Sequence, residues 1–307
     1  MTIELYHMRD IAGFADVAEC DLLIYALTAE PRGNSVVGAV GPRAAQRWAV
    51  HQSDLDTPMA EHAHDAPVVS MESVGAALKT WLAGRTTTPV ITIDVSCMSR
   101  PAMAYAIEAI CSAAETRPVR LALAYVIATY SPPPTCLPPN EDIKPISSWF
   151  AGWPRDAAAS TALVVGLGYE RDKAEGACEF FDASETWVMV PRSPVVEYDE
   201  AVAHNNEELL ARSSRRNRAI DYRVNRPCET FGQLAATVAN IMPRMNPVLL
   251  PFGPRIFFAL CLLMAGVYRE VGVWHVTGDA DLPRTAHSSS GHFVGLQVEM
   301  RRASTTA

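Results

Sequence analysis

Buried apolar segments alternate with amphipathic segments through the second half of the chain, and this alternation constrains the fold most. The segment 161–168 is a continuous apolar run ending in glycines, which is typical of a strand buried on both faces of a parallel sheet. Further strands are predicted at 186–190, 219–222, 247–250 and 271–276, with helices at 172–181, 197–212, 230–242 and 254–268. This succession predicts a doubly wound α/β sheet.

The first half of the chain repeats the pattern more weakly. Strands are predicted at 22–27, 89–95 and 119–128, and helices at 72–83 and after Ser99. We therefore predict a Rossmann-like α/β fold, with a mostly parallel sheet and flanking helices, built as two similar lobes or one extended sheet. The proline-rich segment 131–145 is interpreted as a linker or a loop over a site, which places the lobes at 1–145 and 146–307.

The composition is that of a globular protein: 307 residues, of which 49% are hydrophobic and 20% charged. A net charge of −8 argues against a coat of nucleic acid, although a local basic patch is compatible with it. The seven cysteines form no C-x-x-C pair, which indicates a reducing cytoplasm rather than a disulfide framework. The first ten residues contain acids and no long apolar stretch, so no signal peptide is expected. The apolar run 256–267 is too short to span a bilayer, so no membrane partner is predicted.

No cofactor or metal ion is predicted. The segment 61–65 (Glu-His-Ala-His-Asp) offers imidazoles and carboxylates close together. Two histidines two positions apart share a face only on a strand, and this segment does not have a strand pattern.

Ligands of open α/β sheets bind outside the carboxyl ends of the strands, so the loops there are the candidate sites. The first is 94–100, in which Asp94 ends a strand, Ser96 offers a hydroxyl and Arg100 lies in the first turn of a helix. The structural alternative is that Asp94 and Ser99 merely accept hydrogen bonds from main-chain amides at the helix start.

The second loop is 166–172. Gly168 gives a ligand access to the backbone, Tyr169 can stack on it, and Glu170 and Arg171 add charge. Arg171 stands where the dinucleotide fingerprint G-x-G-x-x-G requires glycine or alanine, so NAD binding is not predicted. The alternative is a tight turn between strand and helix.

The third loop closes the segment 246–255. Phe252 and Gly253 form the turn, Pro254 opens the helix, and Arg255 beside it makes a phosphate or carboxylate site. The alternative is a helix cap with a solvated arginine. A fourth segment, 288–291 (Ser-Ser-Ser-Gly), is predicted to be a flexible loop or a flap over the ligand.

The strand–Pro-Phe-Gly-Pro-Arg–helix segment resembles the strand–Gly-Gly-Thr-Lys–helix element of CARF domains, the CRISPR-associated Rossmann-fold sensors of cyclic oligonucleotides. In this likeness Gly253 matches a glycine of the turn, Arg255 matches the lysine, and Asn246 matches the polar residue before the strand. Pro254 departs from the pattern, because a threonine hydroxyl is missing. The resemblance covers about the last sixty residues, and the loops at 94–100 and 168–170 resemble uncharacterised prokaryotic defence proteins. It implies ligand sensing, often by a dimer.

These observations predict a protein that binds a phosphorylated small molecule of the nucleotide class, as a sensor or regulatory subunit of a dimer or larger complex. The candidate ligand-binding residues are Ser96, Arg100, Gly168, Tyr169, Arg171, Asn246, Phe252, Gly253 and Arg255.

Two alternatives stay open. One is a nucleotide-processing hydrolase or transferase that uses Asp94 or Glu170 as its acid or base. The other is a non-catalytic subunit that docks a partner or nucleic acid through the basic run 212–226, which includes Arg215, Arg216 and Arg218.

Overall fold

The computed structural model describes residues 3–52, 65–133, 140, 142–154, 156–277 and 287–304. The chain divides into two compact units: unit 1 comprises Met1–Thr129 and Ala286–Ala307, and unit 2 comprises Tyr130–Thr285. Each unit has a mostly parallel sheet with flanking helices, so the predicted Rossmann-like α/β class is confirmed. Two sheets are present rather than one extended sheet.

Unit 1 contains seven strands and three α-helices in its described part. In chain order these are β1 (Ile3–Ile11), β2 (Leu22–Ala26), α1 (Gly33–Val40), β3 (Arg47–His51), β4 (Val68–Ser70), α2 (Val74–Ala83), β5 (Val90–Asp94), α3 (Arg100–Ala114), β6 (Val119–Ala128) and β13 (Ser289–Arg302). The strand order is β1-β13-β6-β5-β2-β3-β4. Strands β2 to β6 are parallel, whereas β13 runs antiparallel to both β6 and β1.

Unit 2 contains six strands and five α-helices in its described part. They are β7 (Asp142–Pro145), β8 (Thr161–Gly166), α4 (Lys173–Phe181), β9 (Glu185–Arg192), α5 (Val196–Asn205), α6 (Glu207–Ser214), β10 (Ala219–Arg223), α7 (Pro227–Ile241), β11 (Asn246–Pro251), α8 (Arg255–Val267) and β12 (Gly272–Thr277). The order is β10-β9-β8-β11-β12-β7, and only the edge strand β7 is antiparallel to its neighbour.

The parallel strands of the two units follow the same topology. Counted along the chain within each unit, their spatial order is 3-2-1-4-5, the order found in dinucleotide-binding α/β sheets. In such a sheet the direction of winding reverses between the first and fourth strands, and ligands bind beyond the carboxyl ends of those two strands. The reversal falls between β2 and β5 in unit 1, and between β8 and β11 in unit 2.

The central strands form because their side chains are apolar on both faces, and helices cover those faces. Five of the six residues of β8 and four of the six residues of β11 are buried, and α8 is buried from Ile256 to Gly266. Within the described residues, no helix is both long enough and apolar enough to cross a membrane.

The last strand, β13, differs most from expectation. The prediction of a loop or flap at 288–291 is wrong, because Ser289 begins this strand and the Ser290 hydroxyl donates a hydrogen bond of 2.8 Å to the Ile127 carbonyl in β6. Val294, Leu296 and Val298 are buried at every second position, the period of a strand. This strand carries residues 286–307 back into unit 1, whereas the predicted division at 145 leaves them in the second lobe.

Candidate functional site

In unit 2, two of the predicted loops lie side by side. Gly166, which ends β8, pairs with Pro251, which ends β11, and the Phe252 amide donates a hydrogen bond of 2.8 Å to the Gly166 carbonyl. The loops that follow these strands are therefore neighbours at the point where the sheet reverses its winding. We name them the switch loops: residues 167–172 after β8 and residues 252–254 after β11.

The two glycines of the switch loops are required by the contact between the loops. A Cβ atom on Gly253 would lie 2.6 Å from the Leu167 carbonyl oxygen, and one on Gly168 would lie 2.9 Å from the Phe252 carbonyl oxygen. A Cβ on Gly168 would also overlap the Glu170 carboxylate, so this acid folds back over the glycine. Loop packing thus accounts for both glycines without a ligand.

Three tyrosines meet beside the first switch loop, and we call them the tyrosine cluster: Tyr130, Tyr169 and Tyr198. The ring centroids are 5.3 Å apart for Tyr169 and Tyr198, 5.2 Å for Tyr130 and Tyr198, and 6.2 Å for Tyr130 and Tyr169, all edge to face. Each ring is half-buried. The predicted residue Tyr169 is therefore part of an ordered aromatic surface.

Two asparagines donate hydrogen bonds to main-chain carbonyls of the first switch loop. The Asn205 amide donates to the Tyr169 carbonyl at 2.7 Å, and the buried Asn206 amide donates to the Gly168 carbonyl at 2.9 Å. Asn206 separates α5 from α6, where the sequence predicted one helix over 197–212. The thin apolar stripe of that segment was the available signal for the break.

Three cationic side chains lie within the switch loops or directly after them. Arg255 is the first residue of α8 and is half-buried, so its charge adds to the positive end of the helix dipole. Lys173, the first residue of α4, is 7% exposed and was missed by the sequence interpretation. Arg171 is exposed and lies 3.6 Å from the Asp172 carboxylate.

Asn246 lies at the other end of the strand. It begins β11, and its amide donates to the carbonyl oxygens of Asp156 and Ala159 at 2.9 and 3.0 Å. Because a strand rises about 3.3 Å per residue, the length of β11 separates Asn246 from Gly253. The structure does not bring it together with the other residues predicted from this segment.

The remaining candidates, Asp94, Ser96 and Arg100, lie in unit 1. Asp94 is 2% exposed and accepts a hydrogen bond of 2.9 Å from the Ser96 amide, while the Ser96 hydroxyl accepts one of 2.8 Å from the Val126 amide. Ser99 caps α3 by accepting from the Ala102 amide. The bonds of Asp94 and Ser99 to main-chain amides agree with the structural alternative, whereas the bond of the Ser96 hydroxyl to β6 was not predicted. Arg100, the first residue of α3, is half-buried.

Unit 1 also contains a buried ion pair that the sequence interpretation missed. The Arg32 Nε lies 2.7 Å from the Glu30 Oε2, and the Arg32 Nη1 donates to the Val126 carbonyl at 3.2 Å. Burial would lower the pKa of Arg32, but the charges of Cys97, Glu30 and Tyr125 raise that pKa above its usual range. The guanidinium is therefore a permanent cation.

The ion pair occupies the place in unit 1 that the first switch loop occupies in unit 2. Residues 27–30 (Leu-Thr-Ala-Glu) follow β2 as residues 167–170 (Leu-Gly-Tyr-Glu) follow β8. A carboxylate thus stands three residues after a leucine at the end of the first parallel strand in both units. The repeated spacing of leucine and glutamate after the two strands was the available sequence signal for Glu30.

The basic run 212–226 is partly neutralised. Arg212 pairs with Glu175 at 2.7 Å, Arg218 with Glu185 at 2.9 Å, and Arg223 pairs with Glu229. Arg215 and Arg216 are exposed. Docking through this run thus depends on a smaller surplus of charge than the sequence implies.

In the described part of the chain, no group of three or more His, Cys, Asp or Glu residues is placed so that it could hold a metal ion. Residues 61–64 of the segment Glu-His-Ala-His-Asp lie outside the described residues.

No family model matches the chain, and a search of curated proteins finds no match. Among solved structures, the cytoplasmic domain of a prokaryotic cation chloride cotransporter is similar at a TM-score of 0.24 and 8% sequence identity, over 86% of this chain and 97% of that chain. At that TM-score the likeness supports neither a shared fold nor a shared function.

Proposed function

We propose that unit 2 binds a phosphorylated small molecule of the nucleotide class beyond the carboxyl ends of β8 and β11, and that this binding serves sensing or regulation. The observation that carries the proposal is the meeting of the two switch loops where the winding of the sheet reverses. Open α/β sheets bind their ligands at this place, outside the carboxyl ends of the strands. The sensing role follows the resemblance of the β11–α8 segment to CARF domains.

The phosphate is assigned to the start of α8. The first turn of a helix presents main-chain amides and the positive end of the dipole, and Arg255 adds a guanidinium that can bind a phosphate with two hydrogen bonds. Pro254 fits this position because it lacks an amide hydrogen and presets the backbone for the helix.

The base and sugar are assigned to the first switch loop. The tyrosine cluster offers half-buried ring surface on which a base can stack, and stacking of one base on an aromatic side chain contributes about 1–3 kcal/mol. The Glu170 carboxylate beside Gly168 is an acceptor for sugar hydroxyls. Asn205 and Asn206 keep the loop in place, which reduces the entropy lost on binding.

A thermal-shift screen tests the proposal. The full chain is screened against mononucleotides, cyclic dinucleotides and cyclic oligonucleotides, together with Arg255→Ala and, as a control, Arg215→Ala, which removes an exposed arginine from the same unit. A ligand at a hundredfold excess over its Kd stabilises the folded state by about 2.7 kcal/mol. We expect one nucleotide class to stabilise the wild type and Arg215→Ala but not Arg255→Ala.

Chromatography of the same samples separates sensing from turnover. An unchanged ligand supports the sensor, whereas product that disappears in Glu170→Gln supports the nucleotide-processing alternative. Equal stabilisation of wild type and Arg255→Ala, or no stabilisation by any nucleotide, contradicts the proposed site.

A further inference from the structure

Cys97 lies in polar and charged surroundings, unlike a cysteine that serves only to fill an apolar core. Its sulfur lies 3.6 Å from the Glu30 Oε2, and the same oxygen accepts the hydrogen bond from the Arg32 Nε at 2.7 Å. Cys97 and Arg32 are each 6% exposed. A thiol, a carboxylate and a guanidinium therefore share one largely buried site, which we call the thiol site.

The topology places the thiol site where a ligand is expected to reach unit 1. Glu30 and Arg32 follow β2, Cys97 follows β5, and these two strands are neighbours at the point where the sheet reverses its winding. A Cβ atom on Gly33, the first residue of α1, would lie 3.6 Å from the Cys97 sulfur. The sulfur thus lies against the amino-terminal end of α1, where the helix dipole favours a thiolate.

A third residue fixes the loop that carries the thiol. The buried Gln52 side chain donates to the Cys97 carbonyl at 3.2 Å and accepts a hydrogen bond from the Ser99 amide. The loop is therefore held on both sides of Met98. Reactive groups held this rigidly lose little freedom when a substrate binds.

We propose that Cys97 is a nucleophilic thiol that attacks the carbonyl carbon of a small ester or amide, with Glu30 accepting its proton and Arg32 stabilising the thiolate. This activity is independent of the nucleotide site proposed for unit 2.

The chemistry balances without a further reactant except water. The sulfur–carbon bond forms as the thiol proton passes to Glu30, and the leaving alcohol or amine takes up that proton as its bond to carbon breaks. Water then attacks the thioester, its oxygen binds the carbon, and the sulfur–carbon bond breaks. One proton from water returns through Glu30 to the sulfur, so an ester or amide and water give an acid and an alcohol or amine.

The test compares two cysteines of the same folded chain. Cys228 is more exposed than Cys97, so exposure alone predicts that iodoacetamide modifies Cys228 faster. The proposal predicts the reverse at pH 6.5, by about tenfold, because the thiolate of Cys97 is stabilised. The rates are read peptide by peptide by mass spectrometry, and Cys97 reacting more slowly than Cys228 at every pH overturns the proposal. This comparison needs no variant.

Two substitutions then separate the roles. Arg32→Gln raises the pH at which Cys97 becomes reactive, which slows its alkylation about tenfold at pH 6.5. Glu30→Gln removes the negative charge beside the thiol and lowers the pH at which Cys97 becomes reactive. Alkylation of Cys97 at pH 6.5 is therefore faster than in the wild type. The same change stops steady p-nitrophenol release from p-nitrophenyl acetate, because the proton acceptor is lost. If Glu30→Gln slows both the alkylation of Cys97 and the release of p-nitrophenol while the melting curve is unchanged, the assigned role of Glu30 is contradicted.

Discussion

The main-chain amide of Phe252 donates a hydrogen bond of 2.8 Å to the carbonyl oxygen of Gly166. This bond extends the pairing of β11 with β8 by one residue and brings together loops that are more than eighty residues apart in the sequence. The loops then contact each other through Leu167 and Gly253. The placement of Arg255 depends on this contact, because Gly253 and Pro254 are the only residues between Phe252 and α8.

Gly253→Ala tests how tightly the loops are packed. The added Cβ would lie 2.6 Å from the Leu167 carbonyl oxygen, a main-chain atom that cannot move without its strand. We expect a loss of unfolding free energy of about 1–3 kcal/mol, measured by urea titration. Gly232→Ala in α7 is the matched control: its Cβ meets nothing within 4 Å, so it should stabilise the protein by about 0.5–1 kcal/mol. Equal effects of the two changes would contradict the packing described.

Arg117 is predicted to stabilise the end of α2. Its guanidinium donates to the carbonyl oxygens of Leu82, Arg85 and Thr87 at 3.1, 2.5 and 2.5 Å. Arg117→Ala should lower the unfolding free energy by about 1–3 kcal/mol, because these acceptors lose a charged donor. Arg120→Ala, which breaks an exposed ion pair with Glu299 at 3.3 Å, should cost less than about 1 kcal/mol. Denaturant titration of both variants checks the difference.

Glu185 should make the protein less stable in acid. Burial would raise the pKa of this carboxyl, but the Trp187 hydrogen bond and the charges of Arg244 and Arg218 lower it below its ordinary value of 4.5. A lowered pKa in the folded state contributes stability above pH 4.5, and that contribution is lost as the pH falls through the folded-state pKa.

Glu185→Gln therefore removes stability on the order of 1 kcal/mol at pH 7 and flattens the dependence below pH 4.5. Urea titrations at several pH values between 3 and 7 check this. A parallel dependence in wild type and variant would contradict the assignment.

Three thiols should resist modification in the folded protein. Burial raises the pKa of Cys20 and Cys261, and it raises that of Cys178 to about 12. Thiolates react and thiols do not, so these cysteines should stay unlabelled by a disulfide reagent at pH 8 until the protein unfolds. Rapid labelling of Cys178 in the native state would show that its surroundings are more polar than described.

The alternation of apolar and amphipathic segments predicted the parallel strands of unit 2 and β2, β5 and β6 of unit 1, because buried parallel strands have an unmistakable composition. It did not predict β3, β4 or α1 of unit 1. The edge strand β1 and its neighbour β13 were also missed. In β1 only the end residues Ile3 and Ile11 are buried, and in β13 buried side chains occupy mainly every second position between 294 and 300. Pairing between the two ends of the chain leaves no local signal. A single sequence does not reveal the order of strands in a sheet. It therefore could not show that the two switch loops are neighbours.

The sequence predicted those candidate site residues that directly follow apolar strands, but not those that reach the site from other elements. Gly168, Tyr169 and Gly253 follow apolar strands and stood out as loop residues. Tyr198 and Asn206 reach the first switch loop from α5 and from its end, where nothing in the local pattern indicates a site. The thiol site combines loops after β2 and β5, and its ion pair depends on a distance that only the fold supplies.

Hydrogen–deuterium exchange with the stabilising nucleotide tests the central claim most directly. The ligand should slow amide exchange in peptides covering 166–173 and 251–258, because it covers the switch loops and the first turn of α8. Peptides covering 94–100 in unit 1 should exchange as before, and Arg255→Ala should abolish the protection. A nucleotide that binds saturably yet leaves 166–173 and 251–258 unprotected would contradict the account.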